Sequence, residues 1–208
     1  MSSHLNIFIN CPFDALYRPS FEALIFTITA CGYRVRCALE EDDSGDIRFD
    51  KLCRLIEECD RSIHDLSRTE VTAGDLPRFN MPFELGLAFG AKRFGGKRQR
   101  VKTALIMVAE PYRLPSYLSD LGGNDIAAHH RDPVRLIGLV RKYLHITPQG
   151  AVLPGAARLN RLFERFKADL PKIAATVDIG EDEIDPYGDY RTYLWFLAEF
   201  IKILQAEE

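Results

Sequence analysis

The chain has no long apolar run. Nowhere do about 18 apolar residues follow one another, the length a helix needs to span a bilayer, so no membrane partner is expected. It also has no excess of one charge. Its 27 Lys and Arg stand against 30 Asp and Glu, a formal net charge of −3. That balance gives no electrostatic reason to expect nucleic acid or an anionic surface as partner. Paired cysteine motifs are missing too. The five cysteines (Cys11, Cys31, Cys37, Cys53, Cys59) are odd in number and include no CxxC. Neither a disulfide framework nor a zinc site is favoured, and mostly buried free thiols in a reducing cytosol are expected. "MSSHLNIFIN" has no basic region followed by a long apolar stretch, so no signal peptide and a cytoplasmic location are expected. GxGxxG and GxxxxGK[ST] do not occur, which removes a standard dinucleotide fingerprint and a Walker phosphate loop. No cofactor and no metal are expected. No internal repeat or low-complexity tract is visible.

What is present is an ordinary globular composition, 47% hydrophobic and 27% charged over 208 residues, enough for one domain with an appendage. "LNIFIN" (5–10) reads as a strand ending in the turn cluster Cys11-Pro12-Phe13-Asp14. "YRPSFEALIFTITAC" has helical spacing through Phe21, Leu24, Ile25 and Ile28, and Gly32 stops it. "YRVRCAL" is a second strand. "GDIRFDKLCRLIEEC" is an amphipathic helix with Ile47, Leu52, Leu55 and Ile56 on one side. "RSIHDL" is a third strand, followed by a polar loop over 67–79 and an apolar helix within 78–96. The basic run from Lys92 to Lys102 reads as a solvated loop. "VKTALIMVAE" is nearly continuous in apolar residues, as suits a central strand covered on both faces. A helical piece near 115–121, the strand "NDIAAHH" and the helix "DPVRLIGLVRKYL" complete the alternation.

Strands alternating with helices predict an α/β fold. The form expected is a three-layer flavodoxin-like or Rossmann-like sandwich, a five-stranded parallel sheet with helices on both faces. A Pro/Gly-rich loop, "ITPQGAVLPGAA", divides this α/β domain (1–147) from a C-terminal helical pair (148–208). The pair is too small to stand alone, so it is expected to pack on the sheet domain or on a partner subunit.

In such a sheet, ligands bind beyond the carboxyl ends of the strands. The side chains expected there are Asn10, Cys11, Pro12, Phe13 and Asp14 after strand one, and the run Glu40 to Asp46 after strand two. His64, Asp65, Ser67 and Arg68 follow strand three, and Arg78, Asn80 and Glu84 precede or open the next helix. Proline prefers the first helical position, so Pro82 predicts Met81 as cap and Glu84 at the third position. A glutamate there can close a capping box, but Met81 cannot be the Ser or Thr that a box needs. Its apolar neighbours Leu87, Ala88 and Ala91 point to a wall rather than water. Glu84 is thus a helix-start residue or a chemical one. His64 is a packed strand residue or an acid–base group, and Asp65 caps the next loop or serves chemistry. "EEDDSGD" is a solvated loop with no distinctive metal-ligand spacing. Cys11 has no visible His/Asn companions for a nucleophilic role.

"IFINCPFD", "SIHDLSR" and "NMPFELGLAFGAKR", in that order, resemble elements of the nucleoside 2-deoxyribosyltransferase superfamily, itself distantly related in fold to TIR domains, some of which cleave NAD. The resemblance covers about residues 5–145, and Phe83 to Arg93 is its most specific part. It implies that Glu84 attacks the anomeric carbon of a sugar and displaces the base, with Asp65 holding substrate or assisting the leaving base. Asn10, Pro12 and Phe13 would line the base side; Arg78, Asn80 and Arg68 would bind sugar or phosphate. Where that family commonly carries Asp-x-Gly, this chain has Arg78-Phe79-Asn80, and Arg78 suits a phosphate. The expectation is an N-glycosyl bond-cleaving hydrolase or transferase acting on a nucleoside, nucleotide or NAD-like dinucleotide, as a homo-oligomer. The alternatives are a non-catalytic nucleotide-binding or signalling module, and a TIR-like NAD-cleaving effector in bacterial defence.

Overall fold

A computed structural model describes residues 3–40, 43–69, 77–111 and 114–207. Its five strands are β1 (Asn6–Asn10), β2 (Arg34–Arg36), β3 (Arg61–Asp65), β4 (Thr103–Val108) and β5 (Ala127–Ala128). They form one sheet in the order β2-β1-β3-β4-β5, every pair parallel. The chain is a three-layer α/β sandwich of Rossmann-like type. The strand order reverses direction between β1 and β3, the switch point where an open sheet of this kind leaves a crevice at its carboxyl edge.

Helices α1 (Arg18–Ala30) and α5 (Pro133–Leu144) pack together on one face. Helices α2 (Arg48–Glu58) and α3 (Asn80–Phe94), with the short α4 (Lys97–Arg100), cover the other. The sequence explains the faces. In α1 apolar residues fall all round, and Phe21, Leu24, Ile25, Phe26 and Ile28 are fully enclosed. It is sandwiched, because α6 (Ala156–Ala175) and α7 (Tyr190–Glu207) cover its outer side. Phe26 meets Phe163, Phe166 and Phe200 at ring separations of 5.2, 5.8 and 6.3 Å. Each such side chain contributes roughly 1.5–3 kcal/mol by leaving water. Gly32, at φ +83°, turns the chain from α1 into β2, a backbone that side chains resist.

Four local expectations are corrected. β2 holds three residues rather than seven, and β5 only two of the seven in "NDIAAHH". His130 and Arg131 both adopt φ near +56°, so the chain leaves the sheet in a tight turn at that point. Helix α3 starts at Asn80, with Phe79 as its cap in helical geometry. Glu84 is therefore its fifth residue, beyond the first turn and the donors that face out of a helix start. Finally, the basic run is not a loop. Lys92 and Arg93 end α3, Lys97–Arg100 form α4, and Lys102 is buried, its ammonium donating to the carbonyls of Ile56 (2.6 Å) and Cys59 at the end of α2.

Candidate functional site

Glu84 is 7% exposed and lines a cleft of ≈ 210 Å³ between α2 and α3. Ala38 follows β2 at one wall, Asp43 and Asp46 come from the β2–α2 loop, and Arg48, Lys51, Leu52 and Leu55 come from α2. Burial pushes the Glu84 carboxyl up, to about 7, while the Arg48 guanidinium and the Asn80 amide pull the other way. Its fifth position in α3 removes the helix-dipole stabilisation that a third position would give. The result is a carboxyl that titrates near neutrality in a small cleft with two cations.

Two exposed aromatic pairs flank the start of α3. Phe49 and Phe83, one from α2 and one beside Glu84, lie 6.2 Å apart, and Phe79 and Tyr117 lie 5.5 Å apart. Exposed rings of this kind are stacking surfaces for planar ligands. A larger hollow lies elsewhere, against α3 and α4. It is ≈ 910 Å³, lined by Gly86, Phe89, Gly90 and Phe94 with Lys92, Arg93 and Arg100, and holds no carboxylate.

Asp65 does not line the cleft. It is fully buried at the end of β3 and accepts hydrogen bonds from Tyr17 Oη (2.6 Å), Ser67 N (2.9 Å), Ser67 Oγ and His129 Nε2 (2.9 Å). Burial alone would push its carboxyl up. Hydrogen bonds from His129, Ser67 and Tyr17 outweigh that and hold it below the usual carboxylate range. Ser67, His129 and Asp65 have the composition of a hydrolytic triad but not its geometry. A triad needs acid and nucleophile on opposite ring nitrogens. Here both oxygens meet Nε2, while Nδ1 accepts the Arg131 amide at 3.1 Å. Nε2 therefore carries the proton and cannot take one from Ser67. The arrangement is a structural lock across β3, the residue that caps α1 and the turn after β5.

The other expected residues divide into two groups. Asn10 is buried; its amide donates to the Met81 carbonyl (2.8 Å) and to His64 Nδ1 (3.1 Å), pinning the start of α3 to the sheet. His64 is fully buried, and burial pushes its pKa down to about 3, so it is a neutral packed residue. Pro12 is buried and Phe13 packs on Phe21 and Tyr187 at 5.6 and 6.0 Å. Asn10, Pro12 and Phe13 thus leave the lining of the cleft to others. Cys11 is also buried, and burial with the charges of Asp65, Cys37, Glu84 and Asp14 raises its thiol far above the reactive range. Arg68 and Arg78 are brought together, both on Asp14, at 3.3 and 3.4 Å. Only Asn80 among the expected binding residues reaches Glu84.

No protein-family model, curated protein or solved structure matches this chain.

Sequence reasoning missed Arg48 and Lys51 as cleft residues, whereas Asp43 and Asp46 belong to the run after β2 that was expected at this edge. For the two cations a signal existed. Arg48, Lys51, Leu52 and Leu55 follow helical spacing, so the cations belong to the same stripe as the buried leucines. Tyr17 and His129 carried no such signal, being 48 and 64 positions from Asp65. Among the described residues no group of three or more His, Cys, Asp or Glu is placed to hold a metal ion, and no helix is long and apolar enough to cross a membrane.

Proposed function

We propose that the protein cleaves an N-glycosyl bond of a nucleoside, nucleotide or NAD-like dinucleotide, with Glu84 as nucleophile. One observation carries the reading: a buried carboxyl, near neutrality in pKa, faces a cleft beside Arg48 and Lys51. Perturbed carboxyls in clefts are where acid–base and nucleophilic chemistry concentrates. In the reaction, a carboxylate oxygen of Glu84 bonds to the anomeric carbon as the bond from that carbon to the base nitrogen breaks. The electron pair leaves with the base, which takes up a proton. Water or a second base then attacks the same carbon and returns the carboxylate. Asn80 and Arg48 orient Glu84. Asp43, on the cleft wall, takes over the assisting role that the resemblance gave to Asp65, whose acceptor positions are occupied. The exposed pair Phe49 and Phe83 offers a stacking surface for the base, worth about 1–3 kcal/mol.

The test is mass spectrometry of protein quenched during turnover. A sugar adduct on the peptide containing Glu84, absent in Glu84→Gln, supports the mechanism. Turnover in Glu84→Gln at the wild-type rate sinks it. The second reading is a binding module without turnover, favoured by the absence of Asp65 from the cleft lining. Nucleotide binding with no base released would select it.

A further inference from the structure

Asp14, Arg68 and Arg78 form a cluster that the Glu84 chemistry does not use. Asp14 follows β1 and Arg68 follows β3, the two strands on either side of the switch in strand order. The cluster therefore sits where an open α/β sheet places its ligands. Arg78 joins it through its own backbone, donating its amide to the Arg68 carbonyl at 3.1 Å.

The charges are arranged in layers. Asp14 Oδ1 accepts the Tyr17 amide at 3.0 Å. Asp14 Oδ2 is shielded from solvent and makes no hydrogen bond, although both guanidiniums lie 3.3–3.4 Å from it. The carboxylate is thus covered by two cations that it holds in place without satisfying their donors. Arg68 and Arg78 are 36% and 41% exposed, and Asp14 is the ion-pair partner each of them has among the described residues. The trio carries a net charge of +1 with its positive side outward. The neighbouring Arg18 is turned away, bonded to Glu22 and the Ile184 carbonyl. A guanidinium fork matches the oxygens of a phosphate better than any other side chain does.

We propose that Arg68 and Arg78, gathered on Asp14 at the crevice between β1 and β3, form the seat of a phosphate group. On the reading that Glu84 cleaves an N-glycosyl bond, the substrate is then a nucleoside phosphate or dinucleotide rather than a free nucleoside. Asn10, the last residue of β1, bonds the Met81 carbonyl at the start of α3, so the strand end that leads to Asp14 also meets the helix bearing Glu84.

Titration calorimetry with inorganic pyrophosphate tests the seat directly, on wild type, Arg68→Gln/Arg78→Gln and Glu84→Gln. Binding by the wild type, at least tenfold weaker in the double variant and within twofold in Glu84→Gln, is the result expected. No binding by the wild type, or equal binding by a double variant whose circular dichroism and melting are unchanged, overturns it. Should the double variant misfold, Arg68→Lys/Arg78→Lys keeps the charge, and binding weakened by the loss of the fork is expected. Equal binding by that variant also overturns the proposal. The seat is judged on pyrophosphate alone, so absence of base release counts against the Glu84 reading and not against the seat.

Discussion

Glu84 and Asp65 are both buried carboxyls, and their surroundings send them in opposite directions. Asp65 is surrounded by donors and held ionised; Glu84 is desolvated beside an apolar wall and held near neutrality. Each has a consequence for stability. A carboxyl whose folded pKa is raised binds its proton more tightly when folded. Its contribution is full below the unfolded pKa and is lost as pH rises through the folded value, here between about 4.5 and 7. Glu84→Gln removes that loss. Thermal melts should find the variant more stable than wild type at pH 8, by up to roughly 3 kcal/mol, with the gap closing at pH 4.5. Asp65→Asn is expected to do the reverse. It sets an amide against Tyr17 Oη and His129 Nε2 and leaves buried donors unmatched, a loss of about 3–5 kcal/mol in urea unfolding at pH 7. The carboxylate at position 65 could be located from the end of an apolar strand. Its role could not, because the partners that fix it come from the cap of α1 and the turn after β5, far away in sequence.

At the scale of elements, alternation and apolar periodicity made the sheet and its helices legible. What they did not reveal was where each element stops. β5 ends after two residues because His129 and the turn behind it are committed to Asp65. Helix α3 begins early because Asn10 takes the Met81 carbonyl and ties that turn to β1. Proline chemistry alone had placed the start two residues later. Asn10→Ala frees that turn and leaves His64 Nδ1 without its donor. It should cost roughly 1–3 kcal/mol. In hydrogen exchange the start of α3 should lose protection while α5 does not. Retained protection at α3 would show that another contact sets its start. The cleft itself is an element-level object: α2 brings two cations and α3 one carboxyl, and amphipathic spacing in α2 already held the cations on the leucine stripe.

At the scale of the molecule, α6 and α7 share one continuous apolar cluster with α1, α5 and the sheet. Phe166 is fully buried against Phe26, Tyr193 and Phe200. Phe166→Ala should destabilise the whole domain by about 3–5 kcal/mol in one cooperative transition. A separate early transition confined to α6 and α7 would contradict that coupling. Among the described residues, the cleft around Glu84 and the Arg68–Arg78 cluster lie in the segments that follow β1, β2 and β3. The claim that Glu84 acts chemically there is tested most directly by free-base release from a panel of nucleosides, nucleotides and NAD, wild type and Glu84→Gln in parallel. Wild type is expected to release base from at least one phosphorylated member, at a rate rising with pH through about 7 and at least a hundredfold lower in Glu84→Gln. Base released equally by both proteins would contradict that claim.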